Sequence, residues 1–349
     1  MDANLLEELN KIAEAMVAPG KGILAADEST GTIGKRFDSI GIDNVEEHRR
    51  DYREMLFRTE EAMKERISGV ILFDETIRQK AADGTPLVKL IQDAGSIPGI
   101  KVDKGAKDLA HFDGEKVTEG LDGLRERLAE YHALGARFAK WRAVIDIGRG
   151  GDLAMPSAGC LKANMHALAR YAALCQEQRI VPIVEPEVLM DGDHDIDRCY
   201  DVTLAGLRLL YEELYEAGVA LEGTILKPNM VIAGKKSDKQ ASAAEVAEAT
   251  VSCFQNAVPT AVPGIVFLSG GQSEVEASEH LHIMNAMPAA ARPWALSYSY
   301  GRALQASALK AWGGKPENVA AGQAAFSHRA RMNGLAQEGS WSKDLENAA

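Results

Sequence analysis

Paired cysteines are absent from this sequence. Its 349 residues contain four cysteines, and none belongs to a CxxC pair. A secreted disulfide framework needs denser and more regular spacing, so that class of protein is excluded. We predict that the four thiols are reduced and packed, which indicates a cytoplasmic protein. The residues are Cys160, Cys175, Cys199 and Cys253.

Long hydrophobic runs are absent as well. The longest uncharged stretch, roughly residues 256–273, is interrupted by Pro259, Pro263 and a glycine pair, so we expect no membrane span. Residues 5–16 place apolar side chains at helical spacing among glutamates. This pattern predicts an amphipathic N-terminal helix and not a targeting signal.

Positive charge is in short supply. Lysine and arginine number 39 against 51 acidic residues, and the net charge is −12. This balance argues against a nucleic-acid partner, and an anionic ligand would need a local basic cluster. The hydrophobic fraction of 46% and the charged fraction of 26% are enough for a large core and exclude a disordered chain.

The motifs of several enzyme classes are missing. The eight histidines form no HxxH, HxxxH or HExxH pair on a helix, so we expect no bound metal. His280 and His282 are predicted to be surface residues, and His194 to lie in a polar turn and not in a calcium loop. No Gly-x-Ser-x-Gly elbow, cysteine–histidine nucleophile, dinucleotide fingerprint or P-loop occurs, and we expect no cofactor. Chemistry by lysine and carboxylates remains.

Eight short apolar segments predict buried parallel strands separated by helical patterns. Their starts lie about 30 to 47 residues apart, the interval that a strand–helix unit with a loop requires. The segments are Gly22–Ala26, Gly69–Phe73, Gly99–Val102, Arg137–Val144, Ile180–Val184, Leu221–Leu226, Gly264–Leu268 and Ala295–Tyr298.

Eight such units without a linker favour one α/β domain, a closed (β/α)8 TIM barrel in residues 1–333, and a doubly wound open sheet is the alternative. Residues 149–158 and 234–242 are predicted to be polar loops after the fourth and sixth strands. Residues 334–349 have little apolar content and are predicted to form a mobile C-terminal tail.

Charged and polar residues stand at the carboxyl ends of these strands, where catalytic residues of such barrels lie. A single lysine there is usually a solvated cap, and a glutamate pair a solvated strand end. Seven strands with such ends together indicate one site. The residues, in chain order, are Asp27, Lys101, Lys140, Arg142, Glu185, Glu187, Lys227, Ser269, Gly270, Gly271, Ser299, Gly301 and Arg302.

The charged residues suit Schiff-base chemistry on Lys227. A buried lysine becomes nucleophilic when a neighbouring cation, here Lys140, favours its neutral amine. The attack on a ketone then needs an acid to expel water, and Glu185 is the candidate, with Glu187 biasing its protonation through like charge. The resulting iminium allows a neighbouring C–C bond to break, and Asp27 is the candidate base for the hydroxyl proton.

Two groups of residues predict phosphate binding. Barrels often hold phosphate in the loops after strands seven and eight, here the turn Ser269–Gly271 and the loop Ser299–Arg302. A second polar group follows the first strand and contains Ser29, Thr32, Lys35 and Arg36. Two anion sites on opposite sides of Lys227 suggest a substrate that is phosphorylated at both ends.

Seven motifs closely resemble those of class I fructose-bisphosphate aldolases. They cover residues 18–31, 99–105, 138–142, 181–187, 226–230, 267–273 and 299–306. The resemblance extends over nearly the whole chain to about Asn333. It implies a metal-free enzyme that cleaves fructose 1,6-bisphosphate reversibly to dihydroxyacetone phosphate and glyceraldehyde 3-phosphate, and a homotetramer.

The same resemblance implies roles for individual residues. Lys227 would be the Schiff-base lysine and Glu185 the acid and base, with Asp27, Lys140 and Glu187 as partners. The 6-phosphate would lie toward Lys101, Ser29 and Arg36, and the 1-phosphate would be held by Ser269, Gly270, Gly271, Gly301 and Arg302. Thr32, Arg142 and Ser299 are further candidates for substrate binding.

Three departures from the family pattern are visible. Thr32 stands where a serine is common, and the loop 149–158 looks longer than usual. Many members also end in a tyrosine that assists proton exchange on the enamine, whereas this chain ends in Asn347-Ala348-Ala349.

The sequence disfavours two other functions. A transaldolase-like or keto-acid aldolase is disfavoured by the second set of basic, predicted phosphate-binding residues, which follows the first strand. A non-catalytic sugar-phosphate-binding protein descended from an aldolase is disfavoured because Asp27, Lys140, Glu185 and Lys227 are all present.

Overall fold

A closed barrel of eight parallel strands forms the centre of the molecule. The structure, a computed structural model, describes residues 2–148 and 155–347. Numbered along the chain, the strands are β1 (Gly22–Ala26), β2 (Ile67–Leu72), β3 (Ile97–Lys101), β4 (Ala106–Asp108), β5 (Lys116–Thr118), β6 (Phe138–Ile145), β7 (Val181–Val188), β8 (Ile225–Leu226), β9 (Gly264–Phe267) and β10 (Ala295–Tyr300). The barrel order is β1-β10-β9-β8-β7-β6-β3-β2, and β4 with β5 forms a separate hairpin.

The predicted barrel is confirmed, and the open-sheet alternative is wrong. The first strand pairs with the last, with Ile23 opposite Ser299, which closes the sheet. Each predicted strand segment overlaps a barrel strand, although most ends differ by a few residues. Within the predicted sixth strand, Leu221–Gly223 is a turn of 3₁₀ helix, and only Ile225–Leu226 is extended.

Helices surround the barrel, and their ends follow local capping rules. Ser242 and Ser273 each accept a hydrogen bond from the third helical residue, a glutamate that bonds back to the cap. The helices are α1 (Ala3–Met16), α2 (Thr30–Asp38), α3 (Glu46–Phe57), α4 (Glu60–Glu65), α5 (Asp74–Arg78), α6 (Leu87–Asp93), α7 (Leu124–Ala133), α8 (Ala158–Glu177), α9 (Ile196–Glu216), α10 (Ala243–Gln255), α11 (Glu274–Ala286), α12 (Arg302–Trp312) and α13 (Val319–Gln337). No helix in the described ranges is both long and apolar enough to cross a membrane.

The N-terminal helix closes the bottom of the barrel. Leu9, Ala13 and Met16 of α1 belong to one buried cluster with interior strand residues, among them Phe138. The Phe138 ring occupies the space beside Gly99, where an added Cβ would lie 2.2 Å from a ring atom. Side chains therefore fill the end of the barrel that α1 covers.

The C-terminal segment differs from the predicted mobile tail. Helix α13 continues to Gln337, so the predicted boundary at Asn333 falls inside it. Trp341 is only 5% exposed and its indole N–H donates to Glu346 Oε1 at 2.8 Å. Glu346 in turn pairs with the buried Arg329 guanidinium. A few apolar and charged side chains therefore dock residues 338–347 against the barrel, although the segment has little apolar content overall.

Candidate functional site

A cavity of about 560 Å³ opens at the carboxyl ends of the barrel strands. Every predicted site residue lines it, from the central Lys227 to the rim residue Arg302. The side chains converge because neighbouring parallel strands end at the same edge of the sheet. The predicted site residues that line the cavity are Asp27, Ser29, Thr32, Arg36, Lys101, Lys140, Arg142, Glu185, Glu187, Lys227, Ser269, Gly270, Gly271, Ser299, Gly301 and Arg302.

Four buried charged groups form a continuous chain at the bottom of the cavity. Lys227 Nζ lies 3.2 Å from Glu185 Oε1, and the other oxygen of Glu185 lies 3.3 Å from Lys140 Nζ. Lys140 Nζ is also 2.6 Å from Asp27 Oδ2. Each of the four residues is less than 10% exposed. Two lysines thus alternate with two carboxylates, and each charge is balanced by a neighbour.

The electrostatics of this chain keep both carboxylates ionised. Burial alone would raise the pKa of Asp27, but the attraction of Lys140, Lys227 and Lys101 outweighs it and lowers the pKa to about 2. Burial is likewise outweighed at Glu185, whose pKa is lowered by Lys140, Lys227 and Arg142. For Lys140, burial opposes the charged form, but Asp27 and Glu185 raise the pKa above its ordinary value. Lys140 is therefore a permanent cation.

Glu187, predicted to act on Glu185 through like charge, has an ion-pair partner of its own. Glu187 forms an ion pair with Arg142 Nε, which neutralises its charge. The like charge that does act on Glu185 is that of Asp27. The same ion pair occupies Arg142, a predicted substrate-binding residue. Sequence alone does not show this pairing because the partners lie on different strands, where the register places Arg142 opposite Glu185 and places Glu187 two pairs further along, opposite Val144.

The turn after β9 and the loop after β10 have the shape expected of a phosphate site. Gly270 and Gly271 have positive φ angles of 28° and 79°, which L side chains rarely adopt. Gly301 is the N-cap of α12, and Arg302 is its first residue. Backbone N–H groups at such a helix start bind anions. Arg302 is exposed at the rim.

The two predicted phosphate-binding groups approach each other where the first barrel strand meets the last. Ser29 caps α2, and its hydroxyl is 3.1 Å from that of Thr32. Arg36, on the same helix, approaches Gly301, where an added Cβ would lie 3.4 Å from its Nη2 atom. The reason is barrel closure, because β1 pairs directly with β10. Lys101, on β3, approaches the cavity from another side.

The cavity is basic although the chain as a whole is acidic. Seven basic and four acidic side chains line it, which gives a local charge of +3 against −12 for the chain. The basic residues are Lys35, Arg36, Lys101, Lys140, Arg142, Lys227 and Arg302, and the acidic residues are Asp27, Glu28, Glu185 and Glu187. The sequence prediction of a local basic cluster is confirmed, and its charge suits an anion.

The sequence did not single out several residues that support this site. Glu28 is 6% exposed and binds Arg36 Nη1 at 2.5 Å, while Gln305 Nε2 donates to it at 3.1 Å. Asp103 lies 3.1 Å from Lys101 Nζ. Both acids stand within two residues of a predicted site residue, Asp27 and Lys101 respectively. That proximity in the sequence is a signal that could have identified these two acids. The sequence does not show, however, that their side chains point toward the site.

The histidines form no metal site in the part of the chain that the structure describes. No group of three or more possible ligands occurs among residues 2–148 and 155–347. The prediction that His280 and His282 are surface residues is wrong, because both are half-buried. His280 Nδ1 is 2.6 Å from Gln272 Oε1, and the His282 ring packs 5.8 Å from that of Trp341. Of the predicted loop 149–158, residues 149–154 lie outside the described residues.

Comparison with known proteins agrees with this geometry. Residues 8–349 match the family model described as glycolytic fructose-bisphosphate aldolase class-I. A probable fructose-bisphosphate aldolase class 1 from Xanthomonas campestris is 59% identical over 96% of this chain and 99% of its own length. The fructose-bisphosphate aldolase of Drosophila melanogaster is 54% identical over 97% of this chain and 92% of its own.

A solved structure shows the same fold. The fructose-bisphosphate aldolase of Plasmodium falciparum, in complex with TRAP and a small-molecule inhibitor, superimposes with a TM-score of 0.94 at 49% identity. The match covers 98% of this chain and 97% of that one. A family model over nearly the whole chain, relatives above 50% identity and a cavity with a central lysine agree. The chain belongs to the class I fructose-bisphosphate aldolase family.

Proposed function

We propose that this class I fructose-bisphosphate aldolase forms its Schiff base on Lys227, and that Glu185, Lys140 and Asp27 carry the proton transfers. The observation that supports this most directly is the buried chain from Lys227 through Glu185 and Lys140 to Asp27. It places one amine beside one carboxylate at the bottom of a basic cavity. A second amine and a second carboxylate lie within hydrogen-bonding reach.

The first step is the activation of Lys227. Its amine is 3.2 Å from Glu185 Oε1, so one proton can pass between them and leave a neutral amine beside a neutral acid. The amine attacks the ketone carbon, a proton moves from its nitrogen to the new alkoxide, and Glu185 then returns its own proton to the resulting hydroxyl, which leaves as water and gives the iminium. Lys140 stays protonated throughout and holds both carboxylates in place.

The second step is the cleavage of the carbon–carbon bond. The iminium draws the electrons of the bond between the third and fourth carbons of the substrate, and Asp27 accepts the proton of the hydroxyl on the fourth carbon. In the free protein, the pKa of about 2 makes Asp27 a weak base, because Lys140, Lys227 and Lys101 outweigh the effect of burial. Phosphate bound at Lys101 would offset one of these cations and make Asp27 more basic.

The phosphates of the substrate have separate places in this proposal. The backbone of Ser269, Gly270, Gly271 and Gly301 binds the 1-phosphate. Ser29, Thr32, Arg36 and Lys101 bind the 6-phosphate. Arg302 lies between the two groups, since it lines both the main cavity and an adjoining pocket with Arg36. Ser299 and the Arg142–Glu187 pair shape the wall.

The assembly and the compartment belong to the same proposal. We propose a homotetramer, in line with the family resemblance, and light scattering should then give the mass of four 37.6 kDa chains. We also propose that the protein works in the cytoplasm, which the four free and buried cysteines support. Cell fractionation would test this location, and recovery from a secreted fraction would contradict it.

Trapping with borohydride tests the covalent step. Dihydroxyacetone phosphate and borohydride together should fix the ligand on Lys227, and peptide mapping by mass spectrometry should locate it there. Lys227→Met should give no adduct. Lys101→Met, which removes a different cation from the same cavity, should still be labelled on Lys227. An adduct on another lysine in the unmodified protein, or no adduct, would refute the mechanism.

A further inference from the structure

We propose that Lys235 is a further phosphate-binding residue of this site. Its amine would close over a phosphate held by the turn Ser269–Gly271. The inference deepens the proposed function and rests on its assignment of the 1-phosphate to that turn. Lys235 belongs to the loop that leaves β8, eight positions after Lys227.

The loop that carries Lys235 is fixed by backbone hydrogen bonds. Lys235 N donates to Met190 O at 2.8 Å, and its neighbours Gly234 N and Lys236 N donate to His194 O and Gly192 O at 2.8 and 3.0 Å. Gly234 permits this approach, because an added Cβ would lie 2.2 Å from Gly192 O. The position of the Lys235 backbone beside the barrel mouth is therefore set before a ligand binds.

The Lys235 side chain lies directly on the phosphate turn. A Cβ added to Gly271 would be 2.3 Å from Lys235 Cε and 2.7 Å from its Nζ. The Met190 methyl group would be 2.9 Å from the same point, and Met190 lines the cavity. Gly271 therefore leaves space for the lysine stem, and the amine is held next to the backbone that would contact phosphate oxygens.

The charge of Lys235 is available to a ligand. Within residues 2–148 and 155–347, no carboxylate lies within 4.0 Å of its amine, because none of the ion pairs there includes it. By contrast, Lys140 and Lys227 are balanced by Glu185, and Lys101 by Asp103. A phosphate dianion at the turn would meet few other unbalanced cations, since most of the basic cavity residues already have acidic partners.

This placement predicts a role in substrate selection. Lys227 reacts with the ketone carbon, and Lys235 lies against the turn that follows β9, so it would recognise a phosphate one carbon from the carbonyl. An exposed amine contributes to binding through a charge-assisted hydrogen bond that solvent weakens. We expect it to favour phosphorylated ketones over unphosphorylated ones and to act on binding more than on the chemical step.

The experiment compares two ketones in the borohydride trapping reaction. In Lys235→Met, which keeps the apolar stem, the half-saturating concentration of dihydroxyacetone phosphate should rise about tenfold. That of unphosphorylated dihydroxyacetone should not change. Steady-state cleavage should show the same rise in KM with little change in kcat. Lys235→Arg should restore most of the affinity, and Lys236→Met is the matched control, with the same charge change one position away.

Three results would overturn the inference. These are an unchanged value for both ketones, an equal rise for both, or the same rise in Lys236→Met. Arg302→Ala, measured in parallel, separates this inference from the proposed site. If Arg302→Ala weakens phosphate-dependent binding and Lys235→Met does not, only the role of Lys235 fails. If neither variant affects it, the 1-phosphate lies elsewhere and the assignment of the turn fails too.

Discussion

At the scale of single residues, the site depends on charges that are buried together. Lys140 contacts both Asp27 and Glu185, and it is only 4% exposed. A buried charge that loses its partner is costly because neither water nor a counter-ion compensates it. The same compensation sets the protonation states that the chemistry needs, so stability and catalysis depend on the same groups.

Lys140→Met should therefore affect both activity and stability. The change leaves Asp27 and Glu185 without their shared cation, so their pKa values should rise and proton transfer should fail. We expect kcat/KM to fall by at least about 100-fold and the free energy of unfolding to fall by about 3 kcal/mol. Steady-state kinetics and urea unfolding measure the two effects. An active variant of unchanged stability would contradict the ion chain as described.

The acid side of the stability curve tests Asp27. Burial is outweighed by Lys140, Lys227 and Lys101, which lower the pKa of Asp27 in the folded protein to about 2. The unfolded value is about 3.9, so the ionised carboxylate stabilises the fold fully above that pH and loses this effect as the pH falls toward 2. The contribution is about 2 kcal/mol.

Urea unfolding between pH 5 and pH 3 gives the measurement. The unmodified protein should lose stability more steeply with acid than Asp27→Asn, which cannot titrate at this position. Asp38→Asn, at the exposed end of α2, is the matched control and should follow the unmodified protein. Parallel curves for the unmodified protein and Asp27→Asn would show that the pKa of Asp27 is not lowered.

At the scale of elements, the structure differs most from the sequence prediction in the C-terminal segment, which was predicted to be a mobile tail. The segment has few apolar residues, but two of its side chains anchor it to the barrel. Trp341 is buried, and Glu346 forms an ion pair with the buried Arg329. At the end of α13, Gln337 Oε1 accepts from Gly20 N at 2.5 Å, and Glu338 lies 3.6 Å from Arg66. Composition averages over a segment and does not detect a single anchoring side chain.

A chain that ends at Asn333 should consequently be destabilised. The truncation removes the last turn of α13, exposes the surface under Trp341 and leaves the Arg329 charge without Glu346. Loss of a buried tryptophan alone costs about 3 kcal/mol or more. Thermal unfolding should show a clearly lower Tm, whereas a control that ends at Asn347 should match the full chain. Equal Tm values for the two truncations would mean that the segment adds nothing to stability.

The strands show how much of the fold can be predicted from local sequence pattern. The apolar runs located all eight barrel strands, because a buried parallel strand is apolar on both faces. The short β8 was less predictable, since Leu221 is apolar but lies in a 3₁₀ turn. The sequence pattern ends β7 and β10 too early, because Glu185 and Ser299 look like loop residues by composition. The barrel register, and not their polarity, makes them strand residues.

At the scale of the whole molecule, the proposed reaction uses an iminium as its electron sink. Activity with fructose 1,6-bisphosphate should therefore survive prolonged incubation with EDTA. A zinc-dependent aldolase assayed in the same buffer is the control and should lose its activity. If the chelator inactivated this protein and added zinc restored the rate, a metal would have taken over the role given to Lys227.

The sequence alone determined which chemistry was available. Strand period, strand number and the charged residues at the strand ends follow from local pattern, and they were enough to predict the barrel and the central lysine. Barrel closure and strand register decided the rest. They place β1 beside β10, so the two sets of predicted phosphate-binding residues adjoin. They also pair Arg142 with Glu187. Contacts between residues far apart in the chain depend on packing, which no local pattern encodes.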